Sequence, residues 1–478
     1  MNRILRKKVT TPLHVGRGMG VGLLLFCILL SSCGVYNKYE RPDVNATGLI
    51  RDAVNDADTL VVQDDDSFGN LPWRDVFTDP QLQALIEQGL EKNANLLNAA
   101  LNVQMYEAML KAAKLAFLPA VNIGSTSPMG TIATTHTDPS VTTKSYSLPV
   151  SATWTIDLFG NVLSQKRSTQ MKMLAMKDNQ MAVRASLISG IANSYYTLLM
   201  LDEQLRIVTE MSQMSKETWE MMQKQFELGR MRSTSVQSAQ AAYLNTQTQI
   251  NDFKRQIRAT ENALSLLIGD AGHQIGRSTL SAQSLPAEFK TGVGVALLQN
   301  RPDVHSAEMN LAACFHDIQT ARSKFYPNIT VGASATFSNA NGAMNPGKWI
   351  TSVFGSLTQP IFNRGALTAN LKVSKLQYEQ AFNNWQNAIL KAGNEVSNAL
   401  VNYNGYDDNS KIEAQRIEVL SKNVEDTKAL YQSSGSSYLE VLTAQQQLLS
   451  AQINKATDDF NKMQSVVSLY TALGGGGK

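Results

Sequence analysis

Two eight-residue stretches constrain this chain more than anything else in it. They are Phe117-Leu118-Pro119-Ala120-Val121-Asn122-Ile123-Gly124 and Phe325-Tyr326-Pro327-Asn328-Ile329-Thr330-Val331-Gly332, their prolines 208 positions apart. Both share Phe, Pro and Gly at the same positions and apolar residues at the same two places after the proline. Each follows a helix-like run rich in Ala and Lys/Arg, and each then switches to alternating apolar and polar residues. The residue before a proline is pushed towards extended backbone, so a helix does not readily run through either stretch. Pro119 and Pro327 therefore read as helix-to-strand joints. A chain that carries the same joint twice reads as two copies of one unit.

What surrounds the joints repeats as well. Ahead of the first, Asp79 is a good N-cap and Pro80 suits a first helical turn, and apolar residues from Leu82 onwards recur at helical spacing towards Phe117. After the joints come strands. Tyr146, Leu148, Val150, Ala152, Trp154 and Ile156 alternate with Ser147, Ser151, Thr153 and Thr155, and Ile329 to Phe337 alternate in the same way. The partner strands, about 120–128 and 348–360, are less regular. Next come runs without proline, from Pro149 to Pro286 and from Pro360 to the end, with Gly190 the only glycine in 161–228. A helix of that length is ~100 Å long, more than an ordinary globular core holds, and points to a coiled-coil-like rod or barrel. Both runs break at glycine followed by Ser/Thr, at Gly229 and Gly435, and return through Gln/Ala-rich helices ending at Leu267 and Leu473.

The expected fold is mainly α with a β-hairpin in each copy: helix, hairpin, long helix, return helix, twice. The first repeat spans 73–270, with its hairpin about 120–157, long helix about 161–228 and return helix about 234–268. The second spans 301–478, with its hairpin about 328–360, long helix about 364–433 and return helix about 437–473. A linker, 271–300, joins them.

The amino terminus is a targeting segment. Residues 1–32 carry five basic residues and no acid ahead of an apolar run, Met19–Leu30, too short to span a bilayer. The run ends in Leu30-Ser31-Ser32-Cys33, which resembles the bacterial lipobox, so Cys33 is expected to become the acylated first residue of the mature chain. Residues 33–72, polar and acidic, read as a lipid-anchored extended tether, with Asp64-Asp65-Asp66 a solvated charge run. Without the first segment, 38 basic residues face 40 acidic ones, which gives no electrostatic case for a nucleic-acid partner. Cys314 is then the one cysteine besides Cys33, and it reads as a small buried helix residue.

Four amphipathic strands cannot close a membrane barrel, which takes about eight, and isolated hairpins with an apolar face are not stable in water. The strands are therefore expected to pair with those of other copies in a closed oligomer. One face fits lipid, with Tyr146 and Trp154 placed as girdle aromatics, while Ser147, Ser151, Thr153 and Thr155 line water.

These residues together resemble the TolC-like outer-membrane factors, in the lipoprotein branch of OprM-, NodT- and CusC-like efflux channels. The resemblance covers nearly all of 33–477. It is carried by Cys33, Trp73…Phe77-Thr78-Asp79-Pro80, the two joint prolines, Trp154-Thr155-Ile156-Asp157-Leu158-Phe159-Gly160, Arg301-Pro302-Asp303-Val304…Ala307-Glu308, Pro360-Ile361-Phe362 with Gly365, and Leu473-Gly474-Gly475-Gly476. It implies a homotrimer with a twelve-stranded outer-membrane barrel, a twelve-helix periplasmic tunnel and an equatorial belt. It also implies a periplasmic adaptor, touched at the turns Gly229, Arg230, Ser233, Gly435 and Ser436, and an inner-membrane pump that drives drugs, dyes or metal ions through a passive duct. The lipid on Cys33 is the only attached group implied. In this branch the second return helix often carries an Asp and an Arg that constrict the periplasmic mouth. Thr443 and Gln446 stand at those positions here, so an acidic ring is either absent or supplied by Glu440, while Leu439 matches the apolar gate position.

No chemistry competes with this reading. His136, His273, His305 and His316 form no ligand cluster with acids, and no phosphate loop or nucleophile motif occurs. The methionines of the first copy, among them Met171, Met173, Met211 and Met222, could ligate Cu(I) but read as adaptable packing in long helices. Two further readings stay open: an exit duct for type I protein secretion, and a non-channel, lipid-anchored periplasmic coiled-coil scaffold.

Overall fold

The computed structural model describes residues 37–43, 68–124, 146–283, 301–339, 348–433 and 437–477. The signal segment with Cys33, the acidic triplet, His136 and the turn residues Gly435 and Ser436 lie outside them.

The first copy runs α1 (Trp73–Val76), α2 (Pro80–Lys92), α3 (Ala94–Leu115), β1 (Ala120–Ile123), β2 (Tyr146–Ile156), α4 (Asn161–Glu227) and α5 (Ser233–Leu267). The second runs α6 (Pro302–Ser323), β3 (Asn328–Asn339), β4 (Lys348–Thr358), α7 (Ala366–Gln432) and α8 (Tyr438–Ala472). Both long helices have 67 residues and both return helices 35, as a tandem duplication requires.

One difference from the sequence expectation lies before the first joint. The helix starting at Pro80 does not run unbroken to Phe117 but restarts at Asn93. The Asn93 side-chain oxygen accepts the N–H groups of Asn95 (2.9 Å) and Leu96 (3.1 Å), capping α3, while its amide donates to the Leu267 carbonyl at 2.9 Å. Arg301 takes the equivalent place in the second copy and donates to the Ala472 carbonyl at 3.0 Å. Each copy thus ties the end of its return helix to the start of its strand-bound helix.

The chain forms two compact units. One comprises Ala108–Met171 and Leu311–Gln380 with the described residues up to Pro42. Its centre is a four-stranded antiparallel sheet of order β1-β2-β3-β4. Within the chain β2 and β3 pair along their length, so the two hairpins already form one sheet, a pairing that the alternation did not specify. The register sets Ile156 opposite Ile329, Trp154 opposite Val331 and Ala152 opposite Ala333, so apolar residues meet across the seam of the two hairpins. The joints are bonded alike in both copies. Trp154 Nε1 donates to the Phe117 carbonyl (2.9 Å) and Gln359 Nε2 to the Phe325 carbonyl (3.3 Å). Phe159 stacks on Tyr326 with centroids 4.8 Å apart. Asp157 accepts the Leu163 N–H at 2.8 Å and so starts α4. Cys314 on α6 is half-buried, not buried as its residue type suggested.

The other unit comprises the described residues of Asp43–Glu107, Lys172–Asn310 and Ala381–Lys478. Its core takes Ile191, Tyr195, Leu198 and Leu199 from α4, Trp385 and Ile389 from α7, and Val466, Leu469 and Tyr470 from α8. Phe68 and Phe77 stand edge-on to Tyr470, whose hydroxyl donates to the Leu71 carbonyl at 2.8 Å. Two polar hubs fasten the stretch after α5. Asp79, which caps α2 through the Gln81 N–H, also accepts the Tyr195 hydroxyl (2.6 Å), Gln283 (2.8 Å) and the Ser278 hydroxyl. Arg277 grips Asp202 with two nitrogens and Glu261 at 2.7 Å.

Candidate functional site

The pleat of the sheet divides its residues into two rows of opposite chemistry. Val121, Ala152, Ala333 and Val353 are mutual register partners, and so are Trp154, Val331 and Gly355. This face is apolar and open: Val353 is 83% exposed, and Val121, Ile123, Trp349 and Leu357 are also exposed. A contiguous apolar surface of this kind on a sheet marks an interaction with lipid or protein. The opposite face pairs Asn122, Ser151, Ser334 and Ser352 in one row and Thr155, Thr330 and Ser356 in another. Ser334 and Ser352 share a hydrogen bond of 2.7 Å across the strands. One face suits hydrocarbon, the other water. Among the described residues β1 and β4 each have one neighbouring strand, so each leaves an open edge. No helix among the described residues is long and apolar enough to cross a membrane.

Pro119 and Pro327 stand at the α3–β1 and α6–β3 joints of this unit. Beside the second joint lies a cavity of about 580 Å³, lined by Asp157, Phe159, Lys324, Tyr326 and Pro327 among others.

The other described candidate residues lie in the helical unit. The turn after α4 closes with Gly229 at φ 68°, a left-handed conformation that costs glycine nothing. The Arg230 N–H reaches the Gln225 carbonyl and the Gly229 N–H the Phe226 carbonyl, both at 2.9 Å, the bonding of a Schellman motif. Ser233 then opens α5. Met231 of this turn and Tyr438, the first residue of α8, pack on one cluster of Met222, Val236 and Ala239. The start of the second return helix is thereby held against the first turn. Burial pushes the Tyr438 phenol up to about 12.

On α8, Leu439, Thr443 and Gln446 recur at spacings of four and three, so they share one helix face, and all three are exposed, Leu439 by 69%. Glu440 is exposed beside them, and the Ser437 hydroxyl donates to its carboxylate at 3.2 Å. Val441, Ala444 and Leu448 point the other way, the last two packing with Val424 of α7. The helix is therefore buried along one side and exposes the candidate gate residues away from it.

Among the described residues no group of three or more His, Cys, Asp or Glu is placed to hold a metal ion. His305 Nδ1 lies 2.7 Å from Asp178, His273 contacts the Ala271 carbonyl, and His316 is buried, its pKa pushed down to about 4 by burial and by Arg167. Met211 and Met222 are buried packing residues.

Comparison with known proteins agrees with this geometry. The outer membrane efflux protein family matches residues 85–270 and 293–475. The cation efflux system protein CusC of Escherichia coli O157:H7 is 29% identical over 468 residues, covering 95% of this chain and 98% of that protein. The solvent efflux pump outer membrane protein SrpC of Pseudomonas putida is 30% identical over 410 residues, covering 84% and 87%. A solved CusC structure superposes with a TM-score of 0.80 at 26% identity, over 92% of this chain and 99% of that one. The fold is that of helical-barrel channels with a membrane β-barrel part. The chain, with an amphipathic sheet whose hairpins each enter from a proline joint and leave into a 67-residue helix, is the outer-membrane channel component of an efflux system and belongs to the outer membrane efflux protein family.

Proposed function

We propose that three copies of this chain close into one passive duct, with twelve strands in the outer membrane and twelve helices in the periplasm. The observation that carries this reading is the sheet with one apolar face, one hydroxyl-lined face and an open edge on each side. Joining β4 of one copy to β1 of the next removes every edge. The duct carries no catalytic group and moves cargo down a path opened by its partners, a periplasmic adaptor and an inner-membrane pump. The adaptor docks on the turns Gly229, Arg230, Ser233, Gly435 and Ser436, and Leu439, Glu440, Thr443 and Gln446 narrow the mouth. In this arrangement residues 1–32 are the export signal, 33–72 a tether held by diacylglycerol and an N-acyl chain on Cys33, 73–270 and 301–478 the repeats, and 271–300 the belt.

The cargo is small and toxic. One relative named above serves cation efflux and the other solvent efflux at nearly equal identity, which supports assigning the choice of cargo to the pump. The test is the purified protein in detergent and in planar bilayers. A trimer with single-channel conductance is expected, and a non-conducting monomer overturns the reading. Labelled palmitate should enter the wild type and not Cys33→Ser; incorporation into the variant removes the anchor assignment without touching the duct.

A further inference from the structure

Phe354 sets an aromatic ring between two hydroxyl rows of the sheet face that also carries Ala120, Pro149 and Ile350. The strand pairing sets it opposite Gly332, which stands opposite Thr153. The rows on either side hold Ser151, Ser334 and Ser352, and Thr155, Thr330 and Ser356. Among the described residues of that face Phe354 is the one aromatic. Its ring lies across Gly332: a Cβ at that position would come within 2.8 Å of Cε2 and 2.9 Å of Cε1 and would collide with Cζ. A glycine inside a strand packs nothing itself and marks a place where something approaches the backbone closely. Here that is the flat of the ring. The side chain remains 42% exposed, so the ring is seated on the wall with part of its surface turned towards the solvent side of that face. The nearest hydroxyls of the adjoining row, Ser334 and Ser352, are bonded to each other at 2.7 Å and compete little for a ligand held there.

We infer that Phe354 is a cargo-contact residue of the duct, an aromatic station that takes organic cations and aromatic compounds on its exposed π surface as they pass a hydroxyl wall. The inference rests on the duct reading, in which this face lines the lumen. Cation–π and stacking contacts supply the attraction. The Gly332 seat holds the ring flat, so it can bind without closing the passage.

Single-channel recording in planar bilayers tests this, with tetraphenylphosphonium as the blocking probe, on the wild type, Phe354→Tyr and Phe354→Leu. Phe354→Tyr keeps the π surface and should be blocked like the wild type. Phe354→Leu should weaken block by about two- to fivefold, the span that exposed cation–π contacts represent. Phe354→Met is the second non-aromatic variant should leucine impair assembly. Equal block in the aromatic and non-aromatic variants, or no block of a conducting wild type, overturns the inference and leaves the duct standing. A wild type that conducts nothing overturns both.

Discussion

Trp154 and Phe117 are joined across the first joint by an indole-to-carbonyl hydrogen bond of 2.9 Å, made 37 residues apart in the chain. The bond fixes the second strand of the hairpin to the last residues before Pro119. Gln359 repeats it on Phe325 at 3.3 Å, so the same carbonyl is held in both copies by different side chains. Trp154→Phe keeps an aromatic ring but loses the donor and part of the indole's contacts, and the lost bond alone should cost about 0.5–1.5 kcal/mol. Gln359→Leu, at the longer distance, should cost less. Thermal unfolding in detergent reads both, and a larger loss for Gln359→Leu would show that the geometry ranks the two bonds wrongly.

Asp79 gives the helical unit a defined acid sensitivity. Burial works to raise its pKa, but the Ser278 and Tyr195 hydroxyls, Gln283 and the Gln81 N–H together hold it below 3.8. A carboxyl lowered in this way contributes stability above its ordinary pKa and loses it as pH falls through the folded-state value. Burial and the same bond push the Tyr195 phenol up to about 12, so it remains a donor throughout. The melting temperature of the wild type should exceed that of Asp79→Asn near pH 6 and approach it near pH 3. A gap that stays constant over this range would mean that the charge on Asp79 is not what the hub uses.

The Arg277 fork fastens the stretch after α5 to two carboxylates. Glu261, its partner at 2.7 Å, is buried, whereas Asp202 is 38% exposed and can turn back to water. Arg277→Met takes the nearest cation from a buried carboxylate, leaving it Arg258 at 3.9 Å and the Ile275 N–H at 3.4 Å, and should cost at most about 3–5 kcal/mol. Arg277→Met combined with Glu261→Met removes both charges and should recover a large part of that loss. Denaturant midpoints of the single and double variants decide it: equal losses in both would mean that packing around Arg277, not the ion pair, holds the stretch.

The sequence carried the repeated joints and the Asp79 cap because proline, glycine and short polar caps act on their own neighbours, within a few residues. Alternation in β2 and β3 likewise revealed two faces. It did not reveal that these strands pair with each other, since period two fixes which side a residue takes and says nothing of its cross-strand partner. The restart at Asn93 was hidden for the opposite reason. Its flanks continue the helical pattern, and the bond that favours the break comes from Leu267, 174 residues away. Phe354 was hidden because Val353 and Phe354 are adjacent apolar residues, which made β4 look irregular; only the register with Gly332 explains the second of them. The shared face of Leu439, Thr443 and Gln446 follows from helical spacing alone, whereas what they meet depends on contacts beyond one chain.

Ala152 and Ser151 offer the sharpest test of the two faces, because they are small neighbours in one strand that take opposite sides. Ala152 stands opposite Val121 and Ala333, and Ser151 opposite Asn122 and Ser334. An arginine at 152 must sit in hydrocarbon, at a cost of about 2–4 kcal/mol near mid-bilayer, while one at 151 meets water. Ala152→Arg should therefore lower the yield of assembled protein in the outer-membrane fraction. Ser151→Arg should assemble normally and shift the ion selectivity of the channel towards anions. Since β-propensity and depth in the strand are the same for both, a yield loss common to the two would be a strand effect, and a loss confined to Ser151→Arg would mean that the faces are reversed.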